Sequence, residues 1–200
     1  GSAHMKILDI KKYGPIYRFS DANLYWTLYH LSKNKSLGRR NLASKVDIGE
    51  GSMRSVLKIL KEWNFIMIES HGIIISDDGR LFLHSIPIEI VESNLSDYVG
   101  IPNQCCCGII VFKQSSKIQD GIRQRDICIK SGANGCITFI LKDGKLTIPP
   151  GRNLDEEYSD SLKKIERSLC LAEGDVLILS YSVDECAAAN AAVMASLDLI

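Results

Sequence analysis

No apolar run in this 200-residue sequence approaches the ~20 residues that span a bilayer; each is short and interrupted by charge. No signal-peptide pattern follows Met5, and residues 1–5 read as a remnant ahead of the native start. The expectation is a protein without membrane contact, in the cytoplasm. Low-complexity stretches are missing as well, and the 46% apolar content fits a packed globular chain. Among seven cysteines, an odd number, there is no CxxC pair. Cys105, Cys106 and Cys107 are adjacent, and neighbours along a strand point to opposite faces, so the three cannot converge on one metal. His30, His71 and His84 share no ligand spacing with them. The thiols therefore read as small apolar side chains in a reducing compartment, with no metal and no cofactor expected. Neither a nucleophile–base pair, a His–carboxylate spacing nor a glycine-rich phosphate loop is present. No catalytic residue is assigned, and a non-enzymatic role is favoured.

Net charge is also missing, yet the charge is unevenly spread. Residues 1–90 hold 13 Lys/Arg against 9 Asp/Glu, and residues 91–200 hold 11 against 15. From Lys33 to Lys61 there are eight basic residues and only two acids, Asp47 and Glu50. Such asymmetry predicts different partners for the two halves.

The basic stretch carries helical punctuation. Ser20 and Asp21 open a helix whose Leu24, Leu28 and Leu31 keep helical spacing. Residues 38–45 form a second, anchored by Leu42 and Val46, and residues 46–49 form a turn. Residues 50–63 form a third helix with Met53, Val56, Leu57 and Leu60 on one face and Ser52, Arg54, Ser55 and Lys58 on the other. Residues 65–69 and 73–75 read as a hairpin around a turn at Ser70, His71 and Gly72. Ser76 caps a last helix with Asp77 and Asp78 in its first turn. Helix, helix, tight turn, helix, hairpin is the order of a winged helix-turn-helix. A helix that enters the major groove uses one face for bases and phosphates and the other to hold the body.

The stretch "GRRNLASKVDIGEGSMRSVLKILKEWNFI" followed by "ISDDGRLFL" resembles the N-terminal domains of bacterial and archaeal winged-helix transcriptional regulators, over roughly residues 20–84. The resemblance implies double-stranded DNA as partner, with Ser52, Arg54, Ser55 and Lys58 facing it; Arg39 and Arg40 stand close by on the preceding helix. The hairpin holds no Lys or Arg at its tip, so one copy offers few contacts, and a homodimer is expected.

Residues 88–91 read as a strand leading into the second half, and residues 92–104 as a polar linking loop. After it come a strand at 106–112, a helix at 117–132 with Ser116 capping and Gln119 completing a capping box, and a hairpin of 136–141 with 145–148 around Asp143-Gly144. A helix at 158–171, a strand at 175–181 and an Ala-rich helix at 184–198 complete the order βαββαβα. The fold class is thus α+β: a winged helix-turn-helix over residues 6–87, then a layered domain with a split βαβ arrangement over residues 88–200. In the closing helix Ala187, Ala191 and Ala195 form a row, suited either to a second helix or to its own sheet.

The helix at 117–132 holds an anomaly. Ile118, Ile122, Ile129 and Ala133 form one stripe, and Arg125 and Asp126 fall in the same sector. The expectation is that both are shielded and paired, and that Arg125 either reaches the layer's edge or binds an anionic effector. Ser115 and Ser116 after the first strand, and Ser180 and Ser182 before the last helix, are further candidate anion contacts; Ser182 with Glu185 also reads as a plain capping box. "GIRQRDICIKSGANGCITFILKDGKL" and "GDVLILSYSVDECAAANAAVMASLDL" resemble an archaeal family in which a winged helix precedes a domain of unknown function, with Gln124-Arg125-Asp126 and Gly132-Ala133 its most specific part. That resemblance implies the two-domain plan and a regulator, without naming a ligand. The alternatives are an enzyme with a winged-helix extension, and a protein-docking module.

Overall fold

The computed structural model describes residues 19–101, 103–149 and 156–200. Residues 6–18, the start of the first expected domain, and Pro102 of the expected loop lie outside the described residues. The chain divides between Ile86 and Pro87 into two compact units.

The first unit contains α1 (Asp21–Lys33), α2 (Arg39–Val46), α3 (Glu50–Glu62), the hairpin β1 (Ile66–Glu69) and β2 (Gly72–Ile75), and α4 (Asp77–Ser85). Its boundaries follow local chemistry. The Ser20 hydroxyl accepts the Asn23 N–H at 3.4 Å while the Asn23 side chain accepts the Ser20 N–H at 2.8 Å, a reciprocal cap on α1. Asp47 ends α2 in the left-handed region at φ 62, one of the few conformations that reverses a helix in so few residues. The Ser76 hydroxyl accepts the Gly79 N–H at 3.0 Å and starts α4. Leu24, Leu28, Leu31, Leu42, Met53, Val56 and Leu60 are all but fully buried, so three helices share one core. Phe65 and Phe82 stack at 4.6 Å between ring centroids. Gly79 makes that packing possible: a Cβ there would sit 2.2 Å from the Phe65 carbonyl oxygen. Leu37 exchanges both backbone hydrogen bonds with Ile73 at 3.1 and 2.8 Å, so the segment after α1 adds a third strand position to the wing. The wing turn is shorter than expected, Ser70 and His71 alone, because Gly72 already pairs with Glu69.

The second unit contains β3 (Ile88–Val91), α5 (Ser96–Val99), β4 (Cys105–Val111), a 3-10 turn (Ser115–Lys117), α6 (Ile122–Lys130), β5 (Gly135–Lys142), β6 (Lys145–Thr147), α7 (Glu156–Ser168), β7 (Val176–Ser182) and α8 (Glu185–Asp198). The sheet order is β3-β4-β7-β5-β6, antiparallel throughout. β4 and β5 therefore run the same way with β7 between them, the split βαβ arrangement read from the sequence. Strand alternation sends Ile110, Phe139, Leu141, Leu177 and Leu179 to one face, where they meet Leu162 and Ile165 of α7. The opposite residues, such as Ile109 and Ile178, lie under α6 and α8. The β5–β6 turn has positive φ at both Asp143 and Gly144, and the Glu173 carboxylate accepts both of their N–H groups, at 2.8 and 3.1 Å. Those bonds hold the Glu173 carboxyl below its usual range. Asp175, buried, accepts the Lys113 N–H at 3.1 Å and the Ala172 N–H at 2.9 Å, tying the end of β4 to the start of β7.

Three expectations are corrected here. The loop at 92–104 contains α5, and Leu95 beside it is a core residue. The helix at 117–132 is much shorter: Ser115–Lys117 is a 3-10 turn, and α6 starts after Gly121, whose φ of +80 and lack of a side chain replace the expected capping box. Third, α8 is capped by Asp184, whose carboxylate accepts the Cys186 N–H at 2.9 Å; Ser182 is the last residue of β7 and accepts the Asp184 N–H instead.

Candidate nucleic-acid interface

In α3, residues three and four apart line one face. Met53, Val56, Leu57 and Leu60 are buried, together with Ile59, and this fixes the rotation of the helix. Arg54 and Lys58, four apart, are exposed on the other side, and Ser52 and Ser55 are half-buried beside them. The Ser55 hydroxyl donates to the Gly51 carbonyl at 3.3 Å, which leaves its oxygen free to accept. A Cβ placed on Gly49 or Gly51 would meet nothing within 4 Å, so the start of α3 presents open backbone. A helix about 10–12 Å across fits a groove about 12 Å wide only along such an uncluttered face.

Arg39 and Arg40 open α2, and both are exposed. Arg40 is engaged: its Nε lies 2.9 Å from Glu50 Oε1, across the turn between α2 and α3. Glu50 in the first turn of α3 faces the positive end of the helix dipole, and the pair, exposed on both sides, contributes little to stability. Lys61 was not among the expected contacts. It is exposed, seven positions after Arg54, and extends the Arg54–Lys58 row; its spacing was visible in the sequence. Lys33 lies 5.5 Å over the Tyr29 ring and belongs to the aromatic group of Tyr25, Trp26, Tyr29 and His30. Burial, then Lys45, lowers the His30 pKa. The wing exposes Met67, Ile68 and the acid Glu69 instead of positive charge.

The candidate anion contacts of the second unit do not come together. The Ser115 N–H bonds to the Gly174 carbonyl, beside the start of β7, whereas Ser182 ends that strand, about 20 Å away for seven extended residues. Ser180 is completely buried in the middle of the sheet. Arg125 and Asp126 contradict the expected shielding. Their side chains are 53% and 66% exposed, and Arg125 Nε lies 3.8 Å from Asp126 Oδ1. The wheel grouped the right residues but faced them the wrong way, because Gln124 and Cys128 are the buried positions of α6. Arg123 instead holds Asp198 of α8 through two bonds of 2.7 and 2.8 Å.

One cluster was not foreseen. Cys107, Ser180 and Cys136 stand in register on three adjacent strands, with Cys128 of α6 above them donating to the Ala191 carbonyl at 3.5 Å. Burial pushes the Cys107 thiol up to about 12, and contact with Cys136, then burial, raises that of Cys128. Thiols so disposed stay protonated and pack as small apolar groups.

Residues 22–88 match the family model of the CggR N-terminal DNA binding domain. Residues 101–199 match that of a domain of unknown function, DUF4443. A hypothetical protein from Pyrococcus horikoshii OT3 shares the fold with TM-score 0.72 over 91% of this chain and 93% of its own, at 22% identity. No curated protein matches the sequence. Among the described residues no helix is long and apolar enough to cross a membrane. The chain joins an N-terminal DNA-binding domain of winged-helix form to a C-terminal α+β domain of unknown function.

Proposed function

We propose that the protein is a transcriptional regulator that binds double-stranded DNA through α3 and uses its C-terminal domain to pair two copies. The observation that carries this reading is the outer face of α3, where Arg54, Lys58 and Lys61 form one exposed basic row with Ser52 and Ser55 to one side. In the same domain the wing supplies no cation at its tip, so a single copy makes few phosphate contacts. Two copies on one duplex double them, and a two-fold pair reads two half-sites. A small anionic effector finds no assembled site among Ser115, Ser116, Arg125, Asp126, Ser180 and Ser182, so pairing is favoured over sensing.

Binding of fluorescent genomic fragments, followed by anisotropy across a salt series, tests the reading. Affinity that falls steeply with salt is expected, as phosphate contacts release counterions. Absence of binding at low salt, or binding indifferent to salt, contradicts it. The exposed Met67 and Ile68 favour a second reading, docking of the wing on another protein, which predicts the salt-indifferent outcome.

A further inference from the structure

On α6 four exposed side chains share one face: Ile122, Arg125, Asp126 and Ile129, at spacing i, i+3, i+4, i+7. The isoleucines are 46% and 50% exposed. A surface helix ordinarily turns such residues inward. Here Gln124 and Cys128 take the inward positions and leave an aliphatic stripe in solvent. At 100° per residue, Arg125 and Asp126 stand on opposite flanks of that stripe, each about 50° from its centre.

We infer that this face pairs with the same face of a second copy of the chain, α6 alongside α6 about a two-fold axis parallel to the helices. Such an axis sets each flank against the opposite flank of the other copy. Ile122 meets the partner's Ile122, Ile129 meets the partner's Ile129, and Arg125 lies beside the partner's Asp126 on both sides. One sequence thereby supplies both halves of a complementary surface, as an isologous contact requires. A foreign partner would impose no need for opposite charges placed symmetrically about the stripe. Within one chain the Arg125–Asp126 pair is exposed and contributes little to stability, so its charges are available to the partner. The alternative seam, the alanine row of α8, is spent: Ala191 and Ala195 are fully buried within the unit. Two nine-residue helices cover less than the ~1,200 Å² of a stable interface, so neighbouring surface must contribute. Val183, 72% exposed, extends the aliphatic area; the Asn134 N–H bonds to the Tyr181 carbonyl and brings the turn before α8 to the C-terminal end of α6.

This seam rests on the pairing role proposed above, and charge reversal tests it in the full-length chain by sedimentation equilibrium without DNA. Arg125→Asp places Asp beside the partner's Asp126, and Asp126→Arg places Arg beside the partner's Arg125. Each variant alone is expected to raise the dimer dissociation constant at least about tenfold. An equimolar mixture of the two is expected to form heterodimers, and the double reversal Arg125→Asp with Asp126→Arg to restore the homodimer. Lys163→Asp on α7, an equal change of charge, is expected to leave dimerisation unchanged. Wild-type dimers with both reversals still dimeric, or with no rescue in the mixture, would overturn the seam and leave the pairing role standing. A wild-type chain that stays monomeric at all concentrations would overturn both, with DNA binding untouched.

Discussion

In α3 the residues Met53, Val56, Leu57 and Leu60 face inward and the cations face solvent. In α6 the polar Gln124 and the small Cys128 face inward, and Ile122 and Ile129 face solvent. A helical wheel shows an apolar stripe on each, far sharper on α3 than on α6. An apolar stripe announces a face to be covered without saying by what. In α3 the cover is the helix's own domain, and the opposite face is left open to solvent. In α6 the inward side rests on β5 and α8, while α8 covers β4 and β7, and the isoleucine stripe faces away from all of them into solvent.

The most direct way to break this contrast is to truncate one aliphatic residue in each helix. Leu60→Ala removes a fully buried side chain and is expected to cost about 2–5 kcal/mol of stability, transfer and cavity together. Ile129→Ala, half exposed, should cost less than about 1 kcal/mol in the monomer. Chemical denaturation of the two variants checks this, and equal losses would dissolve the distinction.

A second contrast lies in what each interior is made of. Both units have largely apolar interiors, and in the second the buried carboxylate of Asp175 also ties the end of β4 to the start of β7. Asp175→Ala strands the N–H groups of Lys113 and Ala172, and about 2–3 kcal/mol of stability should disappear. Because Asp175 sits in the second unit, the melting of the winged domain should not move. Melting of the two units together on this substitution would show that they do not unfold independently.

The part of the fold that was legible in the sequence is the part written in local chemistry. The Ser20 and Ser76 caps, the stripe of α3 and the Asp143-Gly144 turn each act within four residues, and each was found. The errors lie where a distant neighbour decides. Gly121 begins α6 late, because the residues after β4 are held by Gly174 instead of by helical bonds. Leu95 enters the core only because α5 lies near α7. The inward face of α6 depends on β5 and α8, which no wheel contains. On the outer face of α3, Arg54 and Lys58 stand in the open as expected and Lys61 extends their row, whereas Arg40 lies against Glu50.

A smaller effect separates the units by pH. His30 has a folded pKa below 6.5, lowered first by burial and then by Lys45. The unfolded chain therefore takes up a proton at higher pH than the folded one. The stability tied to neutral His30 is complete above the unfolded value and is lost as pH falls through it toward the folded pKa. Melting of the winged domain should decline on acidification below about 6.5, and His30→Gln should flatten that decline. A decline of the same slope in the variant would assign it to other groups.

The claim on which the rest depends is that the outer face of α3 meets the DNA backbone. The measurement is the slope of log affinity against log salt for the wild type and for the double variant Arg54→Ala with Lys58→Ala, both shown to be folded by circular dichroism and of equal mass. Removing one phosphate-neutralising side chain should make the slope shallower by about one unit per copy. The double variant should therefore bind weakly, with a slope shallower by about two for each chain bound. Unchanged affinity at low salt with an unchanged slope would contradict the account.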